Sequence, residues 1–94
     1  MQVSRTNELE GGRAYDSIGR VKAYSGWRAV NANGSEMDRL DALWALVSEA
    51  REFYADAVVD LSFELEAIGH PDYECATLRR IAATGTAVRF TEAA

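Results

Sequence analysis

The feature that most constrains the fold is a single long helical pattern, which runs from residue 35 to about residue 54. Ser35 and Asp38 stand at the spacing of a capping box, with aspartate in place of the usual glutamate or glutamine. An α-helix of this length spans about 30 Å. The apolar residues that recur at the three- and four-residue spacing of a buried stripe are Met37, Leu40, Leu43, Trp44, Val47, Ala50 and Phe53 or Tyr54.

Segments before and after this helix alternate between apolar and polar residues, which is the period of a β-strand. We predict strands over residues 17–30, 57–68 and 76–90, and loops at 31–34 and 69–72. Gly85 predicts a bulge, a kink or a close backbone approach to the helix or to a neighbouring subunit. In the first strand, one face holds Val21, Ala23, Ser25, Trp27 and Ala29, and the other holds Arg20, Lys22, Tyr24, Gly26 and Arg28.

The element order β-α-β-β limits how these strands can pair. The first two strands are joined by a helical crossover and run in the same direction, whereas the third opposes the second across a hairpin. Placing the third strand between the other two predicts an α+β fold of two layers. In this fold, a three-stranded antiparallel sheet of order 1-3-2 packs on one helix. We predict one domain over residues 1–94, in which residues 1–12 form a polar lead segment.

Chain length and layer number together predict self-association. A chain of 94 residues buries only a little over ~60% of the surface that it exposes when unfolded. One helix covers one face of a sheet, so neighbouring copies are the expected cover for the rest. We therefore predict a homo-oligomer.

Composition excludes several classes of protein. Hydrophobic residues make up 48% of the chain, which is too many for intrinsic disorder. A net charge of −5 argues against a nucleic-acid partner, because that affinity comes largely from neutralising phosphates. No apolar run approaches the roughly 18–20 residues of a membrane span, so we expect no membrane partner. A single cysteine and a polar N-terminus predict a cytoplasmic protein.

The charge is concentrated in the middle of the chain. Residues 35–74 hold eleven acidic and two basic side chains, whereas the segments before and after each carry a net charge of +2. In a sheet of order 1-3-2, Glu64 and Glu66 would lie across from Arg79 or Arg80. Such cross-strand pairs contribute roughly 0.2–1 kcal/mol each, and they help to select the register.

Three blocks of the chain resemble the YbjQ-like family. Residues 9–11, L-E-G, together with Ile18, Gly19 and Val21, are similar to that family's opening block and first strand. Residues 55–59, A-D-A-V-V, are similar to the block at the end of its helix. Residues 84–88, T-G-T-A-V, are similar to its closing block.

This resemblance implies a two-layer fold like the dodecin subunit and assembly into closed rings, typically pentamers. Family members carry a heavy-metal-binding label without a settled activity. Tyr54 stands where the family usually has glycine, and the segment between first strand and helix is shorter. In the second block, Asp56 lies where the helix meets a strand, and its carboxylate can accept backbone N–H groups from the turn.

A metal site would draw on a compact group of residues around the predicted hairpin turn: His70, Asp72, Glu74 and Cys75. Imidazole and thiolate are good ligands for divalent transition metals. The group lacks C-x-x-C and H-x-x-x-H spacing, so we assign no metal ligand and keep His70 and Cys75 as candidates. A ring could gather one His70 from each subunit around its axis, which is the alternative function of metal binding or sensing between subunits.

No catalytic or cofactor-binding residue is assigned. Glu64 and Glu66 lie about 7 Å apart on one strand face, a separation that suits an inverting hydrolase. An arginine-paired strand face explains them better. His70 is five residues from Cys75 without an evident oxyanion loop, so a nucleophilic pair is not supported. Glycine-rich nucleotide motifs are absent from the sequence. We predict a protein without catalysis of its own.

Tyr24 shares a predicted strand face with several cations: Arg20, Lys22 and Arg28. Such a patch could stack on a small anionic ligand, or it could form a subunit interface. Tyrosine, tryptophan and arginine are typical interface residues, so we favour the interface.

Overall fold

In the computed structural model, the chain forms one helix packed on a mixed β-sheet. The structure describes residues 1–29, 35–70 and 73–91, and it describes only the backbone of residues 29, 35, 70 and 73–77. The predicted loop 31–34 therefore lies outside the described residues. The helix is α1 (Ser35–Glu52), and a 3₁₀ turn covers Glu10–Gly12. The strands are β1 (Gln2–Val3), β2 (Tyr15–Tyr24), β3 (Arg28–Ala29), β4 (Ala57–His70) and β5 (Tyr73–Phe90).

The three long strands lie in the predicted order, because β5 pairs antiparallel with both β2 and β4. The prediction of a three-stranded, wholly antiparallel sheet is nevertheless wrong. β1 pairs in parallel with the start of β4, and β3 pairs with β5 beyond the end of β2. The main path of the sheet is β1-β4-β5-β2. β1 is only two residues long, which is too short for an alternating pattern to show. β3 lies inside the predicted first strand and is separated from β2 by a break at residues 25–27.

The lead segment is part of the fold because it forms backbone hydrogen bonds with a β-bulge in β4. The register of β4 on β5 shifts at Asp60, which has a left-handed φ of 56°. The amide groups of Asp60 and Leu61 donate to the carbonyl oxygens of Thr6 and Ser4, each at 3.0 Å. Residues 1–6 are thereby bound along the edge of β4.

The two faces of the sheet are covered by different elements. On one face α1 buries a cluster that consists of Val21, Ala42, Leu46, Ala50, Val58, Ile81, Ala83 and Ala87. On the other face, Leu9 of the lead segment packs with Ala57, Val59 and Val88. Towards the β4–β5 hairpin, that second face carries exposed side chains.

Gly85 permits the close approach of three elements in the core. A Cβ atom at this position would lie 2.5 Å from Cγ1 of Val58 and 3.2 Å from the carbonyl oxygen of Val59. It would also lie 3.7 Å from a methyl group of Leu46 on α1. The close approach at Gly85 is therefore made to the neighbouring strand β4, whereas the helix lies at ordinary van der Waals distance. The bulge lies in β4, opposite Gly85.

The helix ends at a left-handed residue, Tyr54, with a φ of 58°. The amide of Ala55 donates to the carbonyl oxygen of Ala50 at 3.2 Å, a cap that favours glycine at the left-handed position. The left-handed conformation at position 54 is the physical reason why the family usually has glycine there. Asp56 then joins the helix end to the sheet: its carboxylate accepts the amide of Phe90 in β5 at 2.9 Å, rather than an amide of the turn.

Gly85→Ala is expected to lower the free energy of unfolding by about 1–3 kcal/mol, because the added methyl group overpacks against Val58. Gly69→Ala is the matched control, since a Cβ atom at that position of β4 meets nothing within 4 Å. The control should change the free energy by less than about 0.5 kcal/mol. Urea denaturation measures both variants, and equal stabilities would contradict the close approach at Gly85.

Candidate functional site

After Ser25 the chain departs from strand geometry. As a result, the side chains of the residues that follow lie on the opposite faces of the sheet. The amide of Ser25 donates to the carbonyl oxygen of Ile81 at 2.9 Å, and the Ser25 hydroxyl accepts the Ile81 amide at 2.8 Å. Pairing resumes with Arg28 opposite Arg79, so the chain holds one residue more than its partner strand. One extra residue exchanges the two faces for every residue that follows.

Trp27 and Arg28 therefore lie on the faces opposite to those that the alternation predicts. Trp27 lies on the face away from the helix. Arg28 lies on the helix side, where its guanidinium pairs with the carboxylate of Asp38 and, at 3.7 Å, with that of Asp41. Asp38 is only 1% exposed, so Arg28 balances a buried charge. Ser35, the other half of the predicted capping pair, is described by its backbone alone.

The sheet face away from the helix carries a cluster that we call the aromatic patch: Tyr24, Trp27, Ile68, Leu78 and Arg80. The guanidinium carbon of Arg80 lies 3.7 Å from the ring centre of Tyr24 and 4.4 Å from that of Trp27. Ile68 and Leu78 are direct cross-strand partners beside it. The four apolar and aromatic members are all exposed. The predicted cationic surface around Tyr24 is thus centred on Arg80, and Arg28 is not part of it.

Glu66 and Arg80 confirm the predicted ion pair between the second and third long strands. Their backbones are directly opposite, and Nε of Arg80 donates to the Glu66 carboxylate at 2.8 Å. Nζ of Lys22 lies 4.0 Å from the same carboxylate. Glu64 is opposite Ala82 instead. A carboxylate held between two cations favours the structural role of Glu66 over acid–base chemistry.

A groove between α1 and the lead segment at β1 forms a second surface, which we call the helix groove: Met1, Val3, Leu40, Leu43, Trp44, Val47 and Arg51. The predicted buried stripe is wrong for the exposed residues Met37, Leu40, Trp44, Phe53 and Tyr54, and it is confirmed for Val47 and Ala50, which are buried. Ala42 and Leu46, which lie outside the predicted stripe, pack against the sheet beside Ala50, and all three are fully buried. Apolar spacing alone cannot tell which of two neighbouring stripes faces the sheet.

The candidate metal residues lie around the β4–β5 hairpin. Asp72 lies outside the described residues, and His70, Glu74 and Cys75 are described by their backbones alone. His70 is opposite Tyr73, so His70 and Cys75 flank the hairpin turn on successive strands. Among the side chains that the structure describes, no three histidine, cysteine or acidic groups are arranged to hold a metal ion. A metal site at His70 or Cys75 stays a prediction.

The fold and these surfaces define a small α+β protein with one helix on a mixed sheet and exposed apolar groups on both layers. The model of the YbjQ family, described as "putative heavy-metal-binding", matches residues 18–91. The chain belongs to this family, which confirms the resemblance.

A similar fold occurs in the crystal structure of a protein of unknown function from Pediococcus pentosaceus that belongs to the DUF74 family. The two structures agree with a TM-score of 0.72, and the match covers 96% of this chain and 97% of the other. The sequences are 14% identical, so the similarity shows the fold alone. No curated protein matches the chain. Within residues 1–29, 35–70 and 73–91, no helix has the length and apolar character of a membrane span.

Arg80→Ala is expected to lower the free energy of unfolding by about 1–2 kcal/mol, because it removes one cross-strand ion pair and the stacking on two rings. Glu64→Ala, on the same sheet face, should change it by less than about 0.5 kcal/mol. Denaturation at low and high salt separates the contributions, since salt screens the ion pair more than the stacking. If Arg80→Ala costs no more than Glu64→Ala, Arg80 does not organise the aromatic patch.

Proposed function

We propose that this protein is a small homo-oligomeric binding module of the cytoplasm, without catalysis of its own. The helix groove carries this proposal, because it places large apolar side chains in water on the element that should bury them. The groove residues Leu40 and Trp44 are both exposed, and so is Met37, which lies one turn before Leu40. A closed ring of dodecin-like subunits, a pentamer by the family resemblance, is the assembly that we expect.

The free energy of burying apolar side chains supports binding of a partner at the helix groove. Burying an exposed side chain of this kind stabilises by about 1.5–3 kcal/mol. Association itself costs roughly 4–15 kcal/mol in lost translational and rotational freedom, so several such side chains must be buried together. The helix groove supplies them in one contiguous surface. Contiguous exposed apolar surface on a small protein is typical of an interaction site.

Trp44→Glu is expected to convert the assembled protein to a monomer, because it places a charge in the centre of the helix groove. The substitution should leave the fold intact, since Trp44 is mostly exposed and glutamate favours helix. Size exclusion with light scattering measures the mass. Phe53→Glu is the matched control: Phe53 is 49% exposed near the end of α1, outside the helix groove, and its variant should keep the wild-type mass. A wild-type protein that is a folded monomer at micromolar concentration would refute self-association.

Metal binding or metal sensing at a site between subunits is a second candidate function. The family description favours it, as does the position of His70 and Cys75 on either side of the hairpin turn. One copy offers one imidazole and one thiolate there, which is too few for a closed transition-metal site. Copies arranged around an axis would supply the remaining ligands of a divalent transition metal.

Elemental analysis of protein purified without added metal, and again after incubation with zinc, tests this site. We expect a stoichiometric metal that is lost in His70→Ala or Cys75→Ala and kept in Glu64→Ala. The monomeric Trp44→Glu variant should lose it as well, because the site needs more than one subunit. Wild-type protein that holds no metal after either treatment would exclude this function.

A further inference from the structure

We propose that the aromatic patch of one copy binds the helix groove of the next copy, in a head-to-tail contact. This inference rests on the proposed self-association and names the two surfaces that carry it. Both surfaces leave large apolar side chains in water in the isolated chain: Ile68 is 52% exposed in the patch, and Trp44 is 63% exposed in the groove. Each surface offers the other the apolar cover that its own chain lacks.

The aromatic patch has the composition of an interface centre. Tyrosine, tryptophan and arginine are enriched where interfaces are fully buried, and they dominate binding hot spots. Arg80 is already held by the rings of Tyr24 and Trp27, and its Nε is bonded to the carboxylate of Glu66. Side chains that are ordered before binding lose little entropy on binding. The side chains of the aromatic patch are therefore already ordered for binding.

Charge distinguishes a head-to-tail contact from a contact between like surfaces. α1 holds five acidic and two basic residues, and Glu36 lies one turn before the groove residue Leu40, whereas Asp41 is paired with Arg28. The groove itself is lined by one cation, Arg51. On the face of the aromatic patch, the two cations Arg80 and Lys22 are matched in number by the carboxylates of Glu66 and Glu64. A contact of groove against groove would set two helices of net charge −3 together, whereas the patch face adds no net negative charge.

The placement of the two surfaces also requires a second copy. The aromatic patch lies on the sheet face away from the helix, and the helix groove lies on the helix side beside β1. A chain cannot bring these surfaces together on itself. A contact between two different surfaces is heterologous, and repeating it closes a ring when the rotation between copies permits.

Two variants that each disable one surface test the contact. Trp44→Glu disables the groove and Trp27→Glu disables the patch, while each keeps the surface that the other lacks. Each variant alone should be a monomer, and an equimolar mixture should form a heterodimer of twice the monomer mass in sedimentation velocity. Ile68→Glu replaces Trp27→Glu if circular dichroism shows that the latter does not fold. Phe53→Glu should keep the wild-type mass.

Two outcomes would overturn the contact while leaving self-association intact. One is a mixture that stays monomeric well above the concentration at which the wild type assembles. The other is a wild-type mass for both folded patch variants, which would remove the patch from the interface. A monomeric wild type would instead refute self-association, and this contact with it.

Discussion

The close approach at Gly85 is the contact on which the other features depend. With no Cβ atom there, Val58 of β4 and Leu46 of α1 both reach the surface of β5. Directly opposite Gly85, β4 carries its extra residue at Asp60 and pairs with β5 on both sides of it. The bulge binds the lead segment, and the lead segment brings Met1 and Val3 beside α1. The close approach at Gly85 and the helix groove are thus linked through the bulge at Asp60 and the lead segment that it binds.

Irregular strand positions decide which chemistry reaches each surface. The extra residue after Ser25 moves Trp27 to the face of Arg80 and sends Arg28 to the buried carboxylate of Asp38. Without it, the aromatic patch would lose its tryptophan and the helix would lose the partner of its buried charge. A one-residue change in register moves a side chain across the whole thickness of the sheet.

Local patterns in the sequence predict the elements and several of the contacts. The helix and the three long strands follow from periodicity, and the pair of Glu66 with Arg80 follows from charge and strand order. Sequence patterns do not predict the structure where a segment is too short to show a period, or where two sides of an element are both apolar. β1 has only two residues and shows no alternation, and the alternation predicted over residues 17–30 does not reveal the extra residue that separates β3 from β2. α1 has apolar residues on more than one side, and the sheet packs against the side with alanines.

The sequence by itself determined the family and the order of the helix and the three long strands, because these depend on local spacing and residue type. The tertiary structure decided that Trp44 faces solvent, that Trp27 joins Arg80, and that the lead segment belongs to the fold. These outcomes depend on strand register and on the distance between helix and sheet. Both are set by contacts between residues far apart in the chain. A one-residue bulge shifts the strand register, although the residues on either side of it keep their alternating pattern.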